Sequence, residues 1–150
     1  SRRIGTTQLV CCAAPAYLVR HPPPLTPADL ERHDCLAYAY STLAAAWSFE
    51  APDGERHTPR IVPRHRANNG RMLAELAAAG LGVVLEPDFI LAPELRAGRL
   101  VRVLPGYLPP RSPIAAVYPS RRHLSAKVRR FVDYLAERFA RRQEWSLGDS

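Results

Sequence analysis

The stretch RANNGRMLAELAAAGLGVVLEPDFI, residues 66–90, decides how the rest of the chain is read. It opens on two adjacent asparagines, carries Met72, Leu73, Leu76 and Ala77 at helical spacing, stops at Gly80, and resumes as the apolar run from Gly82 to Leu85. Apolar positions three and four apart fall on one face of a helix, expected here from Asn69 to Ala79. Asn68 or Asn69 then caps that helix by accepting from an amide one turn on, and Gly80 closes it with the left-handed backbone that glycine takes cheaply. The short apolar run beyond it reads as a buried strand, so the unit is a strand end, a capped helix and a second strand.

Upstream the same alternation holds. QLVCCAA, residues 8–14, is short and apolar enough for a buried strand, and Pro15 opens a turn of helix through Tyr17 and Leu18. In LTPADLERH, Thr26 before Pro27 marks a short helix ending near Arg32. CLAYAY, residues 35–40, follows as a strand with Leu36, Tyr38 and Tyr40 on one face. WSFEAPDGERHT, residues 47–58, has Trp47 and Phe49 at period two and then Pro52-Asp53-Gly54, a turn signature, which predicts an antiparallel hairpin forming an exposed flap. RIVPRHRA, residues 60–67, is a strand whose Pro63 cannot donate to a ladder, so an edge position is expected.

Downstream, PDFILAPELRAG predicts one or two short helical turns, Leu100 to Leu104 a strand, YLPPRSP a proline-stiffened crossover and IAAVYPS a last strand. From Leu124 to Phe139, Leu124, Val128, Phe131, Val132, Leu135 and Phe139 make one apolar stripe of a final helix. Strands alternating with helices predict an α/β domain.

Composition excludes several classes. With 150 residues, 47% of them hydrophobic and 23% charged, the chain can bury an ordinary core and is not a disordered tail. No apolar run reaches the length that crosses a membrane and no export leader opens the sequence, so a cytoplasmic protein without membrane contact is expected. Cys11, Cys12 and Cys35 are odd in number, and adjacent cysteines bridge only under strain. They read as buried apolar residues in a reducing compartment. The net charge of +7 comes mostly from scattered arginines, which favours a solvated basic surface over a phosphate-binding face.

Ligands of α/β folds gather beyond the carboxyl ends of strands, where helix N-termini also point. Whichever asparagine is left over from capping faces that space beside open amides, and Arg64, Arg66 and Arg71 flank it. A small acid is a physically sensible occupant of such a positive end, although a capping asparagine alone is commonplace. Other chemistry is weak. His33, Asp34 and Cys35 alternate sides along the chain and make neither a nucleophile with its base nor a metal claw. His57, His65 and His123 have no ligand spacing, and GLG lacks the remainder of a dinucleotide fingerprint. Tyr38, Tyr40 and Trp47 stack on an aromatic ligand or, more often, pack a core or flap. Arg121, Arg122, Lys127, Arg129 and Arg130 read as the wet face of the last helix. No cofactor or metal is implied.

The ordered set LVCCAAPAYL, LTPADLERHDCLAY, WSFEAPDGE, RANNGRMLAELAAAGLGVVLEPDFI, GRLVRVLP and IAAVYPSRRHLSAKVRRFVDYLAERF resembles the effector-binding region of LysR-type transcriptional regulators, from about Arg3 to Phe139. The resemblance implies a type II periplasmic-binding-protein-like fold of two α/β lobes joined by two crossovers, with a ligand cleft between them. On that template residues 1–7 are the hinge and end of the first lobe, and 8–110 the second lobe. Residues 111–140 are a crossover, strand and helix returning to the first lobe, and 141–150 a polar tail. Neither a winged helix-turn-helix nor the early first-lobe elements are recognisable in the chain.

By the same resemblance, the joint Ala67, Asn68, Asn69 and Gly70 is the second-lobe contact with effector. Glu86 and Pro87, at the end of the next strand, are a second candidate patch, with a solvated strand end as the equal alternative for Glu86. The implied function is non-enzymatic sensing of a small-molecule effector, expected to be a small organic acid, in a homo-oligomer that meets promoter DNA only through an N-terminal domain. The alternatives are a solute-binding protein of a transport system and an enzyme on the same fold.

Overall fold

The computed structural model describes residues 1–40, 47–118 and 125–141. Arg121, Arg122, His123, Leu124, the end of the expected last strand at Pro119 and Ser120, and the polar tail beyond Arg141 lie outside the described residues.

One mixed sheet organises the described chain. β1 (Arg2–Ala13), β2 (Cys35–Tyr38), β5 (Pro63–Ala67), β6 (Val83–Pro87) and β7 (Val101–Arg102) lie in the order β5-β2-β6-β1-β7, and β8 (Arg111–Ala116) pairs with β1 off that path. β2 runs parallel to both β5 and β6, whereas β1 is antiparallel to β6, β7 and β8. The three inner residues of β2, Cys35, Leu36 and Ala37, are all buried, as a strand covered on both faces requires. β5 is an edge strand, as Pro63 predicts.

Helices fill the connections. α1 (Pro15–Arg20) starts at the expected proline, and a 3-10 helix (Pro27–Arg32) follows Thr26, whose amide and hydroxyl both donate to Asp29. α2 (Gly70–Ala78) ends at Gly80, which has the positive φ of 82° expected of it, and α3 (Asp88–Arg96) runs nine residues with Pro93 inside, longer than the one or two turns expected. The core gathers Tyr17, Leu30, Leu36, Leu73, Val83, Val84, Leu91 and Leu100. Burial pushes the thiols of Cys12 and Cys35 up to about 12 and raises that of Cys11 as well, so all three behave as small apolar packing.

β1 has two jobs. Its residues Leu9 to Cys12 pair with β6, while Arg2 to Gln8 pair with β8 in a ladder interrupted by a bulge between Arg3 and Gly5. α4 (Ala126–Arg141) lies across that second ladder, with Phe139 against Gly5 and Asp133 paired to Arg2.

Several expectations need correction. The hairpin β3 (Phe49–Glu50) and β4 (Arg56–His57) forms, but Trp47 and Phe49 are buried and Glu50 exchanges backbone hydrogen bonds with Leu108, so it is anchored and not a free flap. Met72, expected in the stripe of α2, is 54% exposed, because the buried face of the helix is Gly70, Leu73, Ala74 and Ala77 and Met72 falls beside it. β7 spans two residues of the expected Leu100–Leu104 because Leu104 turns away with a φ of 55°. β8 begins at Arg111, inside the expected crossover, and ends before Val117. On α4, Val132 is buried, whereas Val128 and Phe131 stand 40% and 60% exposed.

Candidate functional site

The carboxyl ends of β2, β5 and β6 meet at one edge of the molecule, and α2 and α3 begin there. β5 hands directly into α2 through Asn68 and Asn69. Asn69, in extended conformation, is the cap: its Oδ1 accepts from the Arg71 amide at 2.9 Å and the Met72 amide at 3.4 Å. Asn68 is therefore the residue left over. It is exposed and makes no side-chain hydrogen bond among the described residues. Ala67 is buried, and its carbonyl accepts from the Ala39 amide at 2.8 Å, which ties the joint to the end of β2.

Gly70, the first helical residue, is buried, and its amide donates to no group among the described residues. Its missing Cβ leaves room for the tips of two side chains. A Cβ here would lie 2.7 Å from Oε2 of Glu86 and 2.8 Å from Cδ1 of Ile90. The carboxyl group of Glu86 thus stands in the notch between the first turns of α2 and α3. Only 7% of Glu86 is exposed, which overturns the solvated strand end as its description. It has no hydrogen-bond or ion-pair partner among the described residues, and burial alone pushes its pKa up to about 7.

Pro87 is half-buried, opposite Leu9 of β1, and occupies the cap position of α3 without a side chain able to cap. The next residue substitutes for it. Oδ1 of Asp88 accepts from the Phe89 amide at 2.8 Å and from the Thr7 hydroxyl at 2.7 Å, with Asp88 and Thr7 both buried. That pair joins the end of β6 to the middle of β1, and sequence reasoning missed it. The signal was a carboxylate following a proline at a helix start, but its partner lies 81 residues away.

Around the joint, Tyr38 is 36% and Tyr40 78% exposed, their rings edge-on at 6.4 Å. They stand at the open end of β2, outside the core. Arg66 and Arg71 are exposed nearby, whereas Arg64, expected to flank the helix start, pairs at 3.1 Å with Asp34 at the opposite end of the sheet. Arg64 is the second residue of β5 and lies beside the beginning of β2. Among the described residues no group of three or more His, Cys, Asp or Glu could hold a metal, and no helix is long and apolar enough to cross a membrane.

Residues 1–140 match the family profile of the LysR substrate binding domain. The chain is 39% identical over 134 residues to the HTH-type transcriptional regulator PtxR of Pseudomonas aeruginosa, covering 89% of the chain and 43% of the relative. It is 34% identical over 129 residues to the HTH-type transcriptional activator TtdR of Escherichia coli, covering 85% and 41%. In structure it is similar to full-length AphB, a virulence activator of Vibrio cholerae, with a TM-score of 0.77 and 30% identity over 92% of the chain and 47% of that protein. The chain spans less than half the length of these curated relatives.

Proposed function

The chain belongs to the LysR-type transcriptional regulators as their effector-binding domain, and from that premise we propose that its effector seats at Ala67, Asn68, Asn69 and Gly70 with Glu86 and Pro87 beside them. The matched relatives are transcriptional regulators, so transport and enzymatic turnover drop out as readings. The observation that carries the site is the unspent Asn68 side chain and Gly70 amide at the N-terminus of a nine-residue helix, where the carboxyl ends of three strands converge. A helix start with open amides favours a negative group, and the exposed Arg66 and Arg71 add to that field, which supports a small organic acid as effector.

In this proposal residues 8–110 are one lobe, and residues 1–7 with 111–140 belong to the hinge and the other. The exposed apolar residues of α4 support that division, because a further lobe would cover them. Effector binding shifts the population between two relative positions of the lobes, and a homo-oligomer in the cytoplasm relays the shift to DNA-binding domains on the promoter. A coupling of about 1 to 3 kcal/mol suffices to change promoter occupancy measurably.

The test uses the full-length protein in a promoter-reporter strain, with an inducer found by screening small organic acids. Asn68→Ala is expected to raise the half-maximal inducer concentration about tenfold, the worth of one hydrogen bond, with promoter affinity in its absence unchanged. An unaltered dose response sinks the site.

A further inference from the structure

Three polar groups at the joint are left unspent: an amide side chain on Asn68, an N–H on Gly70 and a carboxyl on Glu86. The first two can meet an acid. The third, when ionised, repels a carboxylate and needs a donor instead. The residue is more than nine-tenths buried, yet among the described residues no fully buried side-chain oxygen lacks a partner, so the unpartnered Glu86 carboxyl keeps an oxygen open to the space beside the joint.

The spacing narrows what would satisfy all three. Oε2 of Glu86 is 2.7 Å from where a Cβ on Gly70 would be, so acceptor and amide serve the same small volume. A ligand that bridges the two holds its donor close to its acid, and the shortest such bridge carries them on adjacent carbons. Resting on the assignment of the effector to this joint, we propose that the effector is a carboxylic acid with a hydrogen-bond donor, hydroxyl or ammonium, on the adjacent carbon, and that Glu86 selects it by accepting that hydrogen bond. The carboxylate lies on the Gly70 amide and the Asn68 side chain; the donor faces the Glu86 carboxyl from the mouth of the notch that this carboxyl fills. Acids without the donor leave Glu86 desolvated and unpaired, which is the arrangement that gives a binding site its sharpest discrimination.

Isothermal titration of the full-length protein with matched acids tests this. The sets are propionate, lactate and alanine; succinate, malate and aspartate; and phenylacetate, mandelate and phenylglycine. In whichever carbon skeleton binds, a donor-bearing member is expected to bind at least about tenfold more tightly than the bare acid. The hydroxy and amino members decide which donor Glu86 takes. Glu86→Leu is expected to erase the difference, and Glu86→Gln, which keeps an acceptor, to retain it for the hydroxy acid.

The inference falls if bare acids bind as well as their substituted partners, if Glu86→Leu preserves the preference, or if no member binds more tightly than about 1 mM. Asn68→Ala separates this from the site assignment. If it weakens every ligand equally while Glu86→Leu leaves the preference intact, the site stands and only the role of Glu86 is wrong. If it alters no affinity, the site itself is wrong.

Discussion

The two ends of β2 and β6 are built from similar residues and treat them in opposite ways. At the beginning of these strands the polar side chains are paired with one another. The Tyr17 hydroxyl accepts from the Asp34 amide and bonds Nδ1 of His33, each at 3.0 Å; the Asp34 carbonyl accepts from the Val83 amide at 2.8 Å; the Asp34 carboxylate pairs with Arg64. Burial also lowers the pKa of His33, which suits its ring to a neutral hydrogen-bonding role. At the finishing end, Asn68, the Gly70 amide and Glu86 have no partner among the described residues, and Tyr38 and Tyr40 face outward. One end is a closed joint. The other is open, and the contrast supports the proposed effector site more than any single residue does.

The closed end breaks hardest. A Cβ on Gly82 would lie 2.1 Å from the Asp34 carbonyl oxygen and 2.9 Å from its carbon, atoms of backbone that no rotamer change can move. Gly82→Ala must separate β6 from the lead into β2, and a loss of about 4 kcal/mol is expected, a large part of an ordinary domain's stability. Urea unfolding of the full-length protein checks it. A loss below ~1 kcal/mol would mean that this end yields, and the comparison would lose its rigid half.

The open end is tested by pH. The folded-state pKa of Glu86, about 7, lies above its ordinary value of 4.5, so the folded protein holds this proton more tightly than the unfolded chain does. The cost of ionising it while buried is absent below about pH 4.5, grows as pH rises and is complete above about pH 7, reaching roughly 3 kcal/mol. Glu86→Gln has no proton to lose. Its advantage in thermal or urea unfolding over the unmodified protein should therefore be larger at pH 8 than at pH 5 by an amount of that order. An advantage equal at both values would mean the carboxyl group is solvated.

Sequence pattern gave the closed end's elements well and the open end's chemistry poorly, for one physical reason. Pro15, Thr26-Pro27, Pro63 and Gly80 act within a turn of themselves, so their positions foretell helix starts, an edge strand and a helix stop. The joint at Asn68 and Asn69 was visible for the same reason, though not which asparagine caps. By contrast, the burial of Glu86 depends on Gly70 and Ile90 packing over it, and the Asp88–Thr7 bond depends on β1 lying beside β6. Trp47 and Phe49 likewise looked like one face of a flap, because only the assembled sheet decides that this face is covered. Resemblance to a family supplied the topology that local pattern cannot.

The smallest effect divides two neighbours of the same residue type. Asn69 spends its side chain on the Arg71 and Met72 amides, so Asn69→Ala should cost about 1 kcal/mol of stability, as loss of a helix cap does. Asn68 spends nothing inside the chain, and Asn68→Ala should change unfolding by less than about 0.5 kcal/mol, as an exposed substitution without partners does. In the inducer assay the order should reverse, with Asn68→Ala the more damaging per unit of stability lost. Parallel unfolding and dose-response curves on the two variants separate a residue that builds the helix from one that waits at its end. If both variants lose stability and response in the same proportion, the dipeptide is a single structural cap, and the open end is no more a binding surface than the closed one.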